Sequence, residues 1–442
     1  MVKLTQNIEA AYEVESTYSD PAGSTLSHLG LLDTFDPRQV EMNITPVPSL
    51  GQSTDAFHAS GPIAVTVPIK VACQGTGWQK LLGNSIGKTD VYGSVDAPHS
   101  LTTTANSIAV LAKEGTDYTL VTGVVPNEVT LTADYTTGGY ITCEATCTGF
   151  YSQDAVGTAD FSDDGKLLID DYSAVAFPSA PTADPLLPTD LTVSYGATTD
   201  DDALQFNRTA GHYVEVGERY LRIFKADGSA DDSYATADHA ALMSDGVIDL
   251  DHTDTETITE LVAVINAGLT STATANAGSA DPQNLLKGIY KMTGSNVDIP
   301  AVADTDTTLT AFTNLKTAAL KIANNNTAIP GKVTRGDGSP DVTAWLANKA
   351  ISRGKADVTL DLTMTAEDET LYDKYVAGTT IPLIRLDFGS SGSIALTNGT
   401  ITSFSRPLTP GGEIVDTMSI KFRGAGDYKN FSSFAISADW TL

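Results

Sequence analysis

The residue types that most often perform catalysis or bind metals are few in this sequence and stand apart from one another. None of the histidines is paired at the HxxxH or HExxH spacing of a helical zinc site. The six histidines are His28, His58, His99, His212, His239 and His252. With this scatter we expect surface or core-polar roles for them and no shared catalytic or metal centre.

The cysteines give no stronger signal. The three cysteines are Cys73, Cys143 and Cys147. Cys143 and Cys147 lie four residues apart on a predicted strand, which separates them too far for a mutual disulfide. A zinc site would need a second Cys/His pair, which the sequence lacks. We therefore expect Cys143 and Cys147 to be small buried apolar side chains.

One acidic cluster could bind a cation. Asp249, Asp251, Asp254 and Glu256 stand together in the segment DLDHTDTE. Their oxygen atoms could hold Ca²⁺, but the spacing is not that of an EF-hand and no glycine occupies the required turn position. The alternative is that these acids cap the helix that follows and complement its dipole. The aspartates at positions 200–202 are interpreted in the same way, as a solvated turn.

No local signature of an enzyme occurs in the sequence. It lacks a phosphate-binding loop, a dinucleotide fingerprint and a GxSxG nucleophile motif. We therefore predict no catalytic residues, no cofactor-binding residues and no metal site, and a protein that is not an enzyme.

The charge balance excludes one class of function. The chain has 55 acidic and 26 basic residues, which gives a net charge of −29. Non-specific nucleic-acid binding depends on Lys and Arg replacing the counterions of phosphates. Tight DNA or RNA binding is therefore excluded. The acidity itself has two open interpretations, a solvated acidic surface and an origin in a salty habitat where salt screens the repulsion.

Targeting signals are not predicted. No apolar stretch reaches the roughly 18 residues that a membrane span requires. The N-terminal segment MVKLTQNIEAAYEVE has no apolar core of a secretory signal. Three cysteines do not form a disulfide framework. We expect a protein that makes no membrane contact and is synthesised in a reducing cytoplasm.

The elements that carry these residues are predicted to be mostly strands. Short apolar runs alternate with Thr, Asp, Gly and Ser, which favours β-structure with many turns. Helices are expected at 77–82, 255–268, 306–326 and 366–378, the third of them from the spacing of Leu309, Phe312, Leu315 and Ile322. The predicted segments are 1–62 as an N-terminal arm or loop, 63–175 as a first β-module, 176–225 as a linker with the first strands of a second module, 226–345 as an inserted helix-containing α/β subdomain, and 346–442 as the second β-module.

The two ends of the chain share one order of elements. Residues 63–150 are predicted as strand, helix, strand, strand pair, Gly-Gly turn and strand, and residues 356–426 follow the same order. Chance similarity of β-rich sequences is the alternative to duplication. Duplication would give two copies of one β-sandwich module. In each copy the helix should cover one face of the sheet, with Trp78, Leu81 and Leu82 matched by Leu371, Tyr372 and Tyr375.

Several segments resemble the tail-tube proteins of phages and archaeal tailed viruses. They are Glu15-Ser16-Thr17, GWQKLLG, YTLVTGVVPNEVTLTAD and TTGGYITCEATCTGF in the first half, and LYDKYVAGTTIPLIRLDF and GTITSFSRPLTPGGEIVDTMSIKFRGAG in the second. The resemblance covers 1–225 and 346–442 and leaves 226–345 unexplained. It implies a mainly β fold of two tail-tube-type β-sandwich modules with flanking short helices, whose strands join those of neighbouring subunits around a pore.

From this resemblance we expect a structural virion protein, the major tail-tube subunit. Its partners would be itself, in stacked rings of three or six chains, and other tail proteins such as the tape measure and the tail terminator. Viral DNA would pass through the lumen without specific binding. The strands 118–134, 138–150, 393–407 and 411–423 are expected to build the ring. The alternatives are a secreted or cell-surface acidic adhesin or layer protein and, third, a glycan hydrolase on a β scaffold.

Overall fold

A computed structural model gives the fold of the chain. It describes residues 8–15, 25–36, 39–48, 55–86, 107–115, 117–156, 176–207, 211–225, 241–244, 246–268, 272–294, 296–302, 309–333, 345–352, 354, 356–366, 369–408, 412–426 and 436–439. Within these ranges the chain is mainly β, as the sequence predicts, with short helices between the strands.

The elements follow in chain order. The first group is β1 (Ile8–Val14), β2 (Ser27–His28), β3 (Leu32–Phe35), β4 (Gln39–Pro48), β5 (Asp55–Ala72), α1 (Gly77–Ile86), β6 (Ile108–Glu114), β7 (Asp117–Asp134), β8 (Thr142–Gly149) and β9 (Tyr151–Val156). The middle group is β10 (Thr192–Tyr195), β11 (Thr199–Asn207), β12 (His212–Val216), β13 (Tyr220–Lys225), β14 (Leu242–Ser244), β15 (Val247–Asp249), α2 (Ile258–Gly268), β16 (Thr272–Ala275), β17 (Gly288–Lys291) and β18 (Val297–Val302). The last group is β19 (Thr310–Ala311), β20 (Leu315–Ala323), β21 (Thr327–Val333), β22 (Trp345–Ser352), β23 (Asp357–Thr365), α3 (Thr370–Ala377), β24 (Ile381–Asp387), β25 (Ser393–Ser405), β26 (Val415–Phe422), β27 (Ala425–Gly426) and β28 (Ile436–Asp439).

A central sheet runs through the molecule in the order β5, β8, β7, β20, β23, β26, β25, with every neighbouring pair antiparallel. The strands β3 and β4 pair with the outer side of β5. Two long strands leave this sheet: the first half of β7 joins a flanking sheet with β2, β1, β6 and β9. The first half of β25 joins a second flanking sheet with β19, β10, β24 and β28.

The strand pairings divide these elements into two equivalent sets. The first module comprises β1 to β9 with α1, and the second module comprises β10, β19 to β26 and β28 with α3. Eight strand pairings of the first module recur in the second. In these pairings the strands β1, β2, β3 and β4 are equivalent to β10, β19, β20 and β21, in that order. The strands β6, β7, β8 and β9 are equivalent to β24, β25, β26 and β28. The strand β5 is equivalent to β22 and β23 taken together. The repeat predicted from the sequence is present in the strand order.

The insert, residues 196–308, interrupts the second module between β10 and β19. Its strands form a three-stranded sheet, β16-β11-β18, and a six-stranded sheet that includes β27 from the end of the chain. Helix α2 buries Ile258, Leu261, Val264 and Ile265 in a separate apolar core. That core also takes in Leu383, Ala395 and Ala425, whereas Ile384, Leu386 and Ile394 belong to the main core, so the insert packs on the face of the second flanking sheet opposite the main core.

The strand pairings assign several residues to other modules than the domain boundaries predicted from the sequence do. Those domain boundaries remain a prediction. Residues 212–225, predicted as strands of the second module, form β12 and β13 in the sheet of the insert. Residues 315–333, predicted as part of the inserted subdomain, form β20 and β21 of the second module. The predicted arm 1–62 contributes β1 to a flanking sheet, where it pairs with the distant β6, and β4 to the edge of β5, the next strand in the chain.

The helix expected at 306–326 is wrong. This segment holds the strand β20, in which Ala318, Leu320 and Ile322 are buried on one face and the intervening side chains are not. The alternation has the period of a strand, and both edges of β20 are satisfied, by β7 on one side and β23 on the other. The two strand runs expected within 118–134 and the hairpin expected at 393–407 are likewise single long strands, β7 and β25, that pass from one sheet to another.

Candidate assembly surface

One face of the central sheet is open to solvent and mostly polar along its whole width. On β8, for example, Glu144 and Thr146 point outward while Cys143, Ala145 and Cys147 are buried. The outward side chains on this face, which we call the polar face, include Thr66, Lys70, Glu128, Thr130, Thr132, Thr142, Glu144, Thr146, Thr148, Lys321, Asp357, Thr359, Asp361, Thr363, Thr417, Ser419 and Lys421. The same face also carries the apolar residues Pro68, Ala319, Ala323 and Val415, so it is polar in its majority and not throughout.

The lysines of the polar face are neutralised by carboxylates. Lys321 lies 2.8 Å from Glu128 on the neighbouring strand, and Lys421 lies 2.7 Å from Asp357. Lys70 lies 2.8 Å from Asp33 on β3, and this hydrogen bond raises the pKa of Lys70. Paired lysines at these positions offer little to a phosphate backbone, because each positive charge is already balanced nearby.

The opposite face of the central sheet is the main core, and α1 covers it in the first module. Trp78, Leu81 and Leu82 are fully buried there. Phe388, from the β24–β25 turn of the second module, packs on Trp78 with ring centroids 5.4 Å apart. The side-chain amide of Gln79 donates to the carbonyl oxygen of Ser391 in the same turn, at 3.0 Å. Helix α1 is therefore enclosed by the second module as well as by its own.

The two modules meet edge to edge where β20 pairs with the second half of β7. The pairing runs from Thr317 opposite Asp134 to Ala323 opposite Glu128. Just beyond it, the Asn324 side chain donates to the Ser85 hydroxyl at 3.0 Å. This junction is the one pairing within the large sheet system, among the residues described, that joins the first module to the second.

The edges equivalent to this junction lie at the two ends of the central sheet. The second half of β25, residues 400–405, is equivalent to the half of β7 that binds β20, and its described pairing there is with β26 alone. At the other end β3 is equivalent to β20, and its described pairing is with β5 alone. Each end thus presents a strand whose outer side has no partner in the described part of the chain.

Helix α3 differs from α1 in its surroundings. Their apolar stripes match in sequence, but α3 has no buried residue. Tyr372 and Tyr375 pack on Phe404 of β25, with ring centroids 5.5 and 6.0 Å apart, yet are 42% and 37% exposed. Val376 is 66% exposed. The helix does cover its own module as predicted, while its outer side lacks the cover that α1 receives.

The residues with potential chemistry do not converge in the described structure. The three cysteines are free and buried, as predicted for Cys143 and Cys147. Burial raises the pKa of the Cys73, Cys143 and Cys147 thiols, that of Cys143 to about 12, which suppresses the reactive thiolate. Among the residues described, no group of three or more His, Cys, Asp or Glu side chains could hold a metal ion.

The acidic cluster before α2 has structural partners. Asp249 is buried and lies 3.2 Å from Arg219. The helix is capped by Thr257, whose hydroxyl accepts from the backbone N–H of Glu260 at 3.2 Å, while the Glu260 carboxylate accepts from the Thr257 N–H at 2.9 Å. This capping box satisfies two helix-terminal donors. The capping role expected for the cluster thus falls to Thr257 and Glu260.

Sequence reasoning missed one buried ionic cluster. Glu218, in the turn between β12 and β13 of the insert, lies 2.5 Å from Arg385 on β24 and 3.3 Å from Lys287. The Ser393 hydroxyl donates to the same carboxylate at 3.0 Å. Burial alone would raise the pKa of Glu218, but Arg385 and Lys287 outweigh it and lower that pKa. Residues so far apart along the chain form no local motif, so the sequence carried no signal for this cluster.

Among the described residues, no helix is long and apolar enough to cross a membrane. No family model matches the chain, and no curated protein matches it by sequence.

Several solved structures align with part of the chain, and two of them come from gene transfer agent particles. The first, from the tail of an empty gene transfer agent particle refined helically with C6 symmetry, is 15% identical, with a TM-score of 0.20 over 27% of this chain and 85% of that chain. The second, from the virion of a native gene transfer agent particle, is 15% identical, with a TM-score of 0.21 over 30% of this chain and 89% of that chain. TM-scores this low do not establish a common fold.

Proposed function

We propose that this protein is a structural virion protein, the major tail-tube subunit of a tailed virus, whose chains close into rings that stack into a channel. The observation that carries the proposal is the β7–β20 junction, which joins two equivalent modules edge to edge within one chain. The equivalent edges at the ends of the sheet have no described partner. An exposed strand edge is a template for another chain, and closing a sheet into a barrel removes its edges.

The number of chains per ring follows from the repeat. A head-to-tail contact repeated by rotation closes into a ring. Because each chain supplies two equivalent modules, three chains would supply six and give a ring with approximate sixfold symmetry. We favour three chains over six for this reason.

The polar face of the central sheet would line the channel. It carries threonines, acids and charge-paired lysines, and the chain as a whole has a net charge of −29. Like charge discourages adhesion of the DNA phosphates to the wall. Viral DNA would then pass without specific binding. The insert, on the face of the second flanking sheet opposite the main core, would lie outside the tube, and the tape measure and tail terminator would contact the lumen and the tube end.

Assembly of the purified protein tests this function. We expect hollow tubes or rings in negative-stain images, and a ring mass of three chains by mass photometry, in salt from about 0.1 M to 4 M, over which the Debye length falls from about 10 Å to below 3 Å. A strictly monomeric protein by light scattering at every salt concentration would overturn the proposal. Flat two-dimensional arrays in the same images would favour the cell-surface layer alternative.

A further inference from the structure

The two modules agree in their irregularities as well as in their strand order. The pairing of β3 with β5 shifts register between Leu32 and Thr34, and the pairing of β20 with β23 shifts between Leu315 and Thr317. The pairing of β7 with β8 shifts between Pro126 and Glu128, and that of β25 with β26 between Ile401 and Ser403. Each β-bulge adds one residue to one strand, so bulges at matching places fix which residues of the two modules are equivalent.

A left-handed residue marks the same point in both long strands. Gly123 has φ +63° where β7 passes from the flanking sheet to the central sheet, and Asn398 has φ +54° at the corresponding place in β25. Counting from these marks through the paired strands, Thr130 of β7 corresponds to Ser405 of β25, since they lie opposite Glu144 and Thr417 respectively.

We infer that β3 and the start of β4 of a second copy pair with the second half of β25, in the register that β20 and β7 show within one chain. This inference rests on the proposed ring assembly and adds the edges and the register of its interface. In the in-chain junction Lys321 lies opposite Thr130. Lys321 corresponds to Gln39, because they lie opposite Thr359 and Thr66, which are equivalent in β23 and β5. The interface therefore sets Gln39 of a second copy opposite Ser405.

The exposed apolar residues of the second module support this placement. At four positions that are buried in the first module, the second module carries a large apolar side chain that is exposed. The pairs are Gln79 with Tyr372, Leu82 with Tyr375, Ala133 with Leu408, and Ile141 with Ile414. Leu408 is 75% exposed, whereas Ala133 is enclosed by the junction with β20. These apolar side chains are exposed in the second module although the equivalent positions of the first module are buried. Such exposed apolar residues indicate a contact site for a neighbouring chain.

Because the native cysteines are buried, they would not compete with introduced cysteines in a cross-linking test. Cys73, Cys143 and Cys147 are fully buried, and burial raises the pKa of each thiol. Introduced surface thiols would therefore react first under mild oxidation. Directly opposite residues of an antiparallel pair have Cβ atoms about 4.5–5.5 Å apart, within reach of a disulfide after small adjustments, whereas diagonal neighbours are at about 7–8 Å.

The experiment mixes two variants that each carry one introduced cysteine beside the three buried native ones, Gln39→Cys and Ser405→Cys, and oxidises the assembled protein. We expect disulfide-linked dimers in the mixture and at least fivefold fewer with either chain alone, since the interface is heterologous. The matched control replaces Ser405→Cys by Ser403→Cys, two residues along the same face, and should also give at least fivefold fewer dimers. The double variant Gln39→Cys/Ser405→Cys should give a closed covalent trimer that reduction dissolves.

The outcomes separate this inference from the proposed function. Tubes or rings that form normally while the Ser405 pair cross-links no better than the Ser403 pair would overturn the inferred edges and leave the proposed function standing. If the parent chain without introduced cysteines does not assemble at all, both the inferred interface and the proposed function are wrong. Cross-linking of either variant with itself would indicate an isologous interface and also contradict the inference.

Discussion

At the scale of single residues, the contact between insert and second module depends on one buried carboxylate. Glu218 is 1% exposed, as is Lys287, and the two lie beside Arg385. Removing one member of such a cluster leaves the others as buried charges without compensation, which is far more costly than losing a surface ion pair.

We therefore expect Glu218→Gln to lower the free energy of unfolding by about 3–5 kcal/mol. Chemical denaturation followed by circular dichroism measures the effect. The matched control is Asp361→Asn, an exposed acid on β23, which should change stability by less than about 0.5 kcal/mol. Equal effects of the two substitutions would show that the buried cluster does not stabilise the fold.

A second residue-scale feature is the turn between β7 and β8. Asp134 accepts hydrogen bonds from the Thr136 hydroxyl at 2.6 Å, the Thr136 N–H at 2.8 Å and the Thr137 hydroxyl at 2.8 Å. These bonds favour the ionised form and lower the pKa of Asp134 to about 2. The turn also uses Gly138 and Gly139, both at positive φ.

The sign of the resulting pH dependence is defined. Because the folded-state pKa lies below the unfolded value of about 3.9, the stabilising contribution of Asp134 is present above pH 4 and is lost as pH falls through 2. We expect Thr136→Val to raise the pKa of Asp134 in an NMR titration, and Asp134→Asn to flatten the fall in stability over that window. A Thr136→Val protein with an unchanged Asp134 pKa would contradict the assignment.

At the scale of elements, the two helices of the repeat occupy equivalent places with different burial. Trp78 on α1 is 1% exposed beneath Phe388. The equivalent stripe on α3, Leu371, Tyr372 and Tyr375, keeps contact with its own module but lacks the cover of a following module. From their sequences both stripes were expected to be buried to the same extent. Their burial differs because only α1 is covered by a second module.

We expect Trp78→Ala to destabilise the isolated chain by about 3–5 kcal/mol, as for large-to-small substitutions in a core. Tyr375→Ala should cost the isolated chain about 1 kcal/mol or less while reducing tube formation severalfold, because the proposed assembly would bury that face. Thermal unfolding and sedimentation of tubes measure the two effects. A Tyr375→Ala protein that assembles like the parent would place α3 outside the interface.

At the scale of the whole molecule, the insert is separable by its connections. Tyr195 at the end of β10 lies opposite Thr310 at the start of β19, so the chain leaves and re-enters the second module at one point. Replacing residues 196–309 with a turn of about four Gly and Ser residues closes an ordinary hairpin. The cost is exposure of Leu383 and Ala395, which the insert covers.

We expect this deletion to fold with the large sheet system intact and to form tubes. Deletion of 226–345, the boundaries predicted from sequence, should instead give insoluble protein, because it removes β20 from between β7 and β23. Soluble expression and electron microscopy of the two variants make the comparison. Tube formation by the 226–345 deletion would show that the β7–β20 junction is dispensable.

The sequence alone determined the features that are encoded locally. The strand expected at the start of 356–426 is β23, the helix expected at 255–268 is α2, and the helix expected at 366–378 is α3, which ends at Gly378 with φ +63°. The order of elements at the two ends also disclosed the repeat. The burial of Cys143 and Cys147 followed from their place on the inward face of β8.

The tertiary structure alone decided the features that depend on distant partners. The strand β20 was mistaken for a helix because Ala, Leu and Lys suit both periods, and its two neighbours, β7 and β23, are set by long-range hydrogen bonds. The same holds for Glu218 and Arg385, which meet across 167 residues. The helices α1 and α3 have similar sequence patterns but differ in burial. The second module covers α1, whereas α3 lies in the last module of the chain and has no following module to cover it.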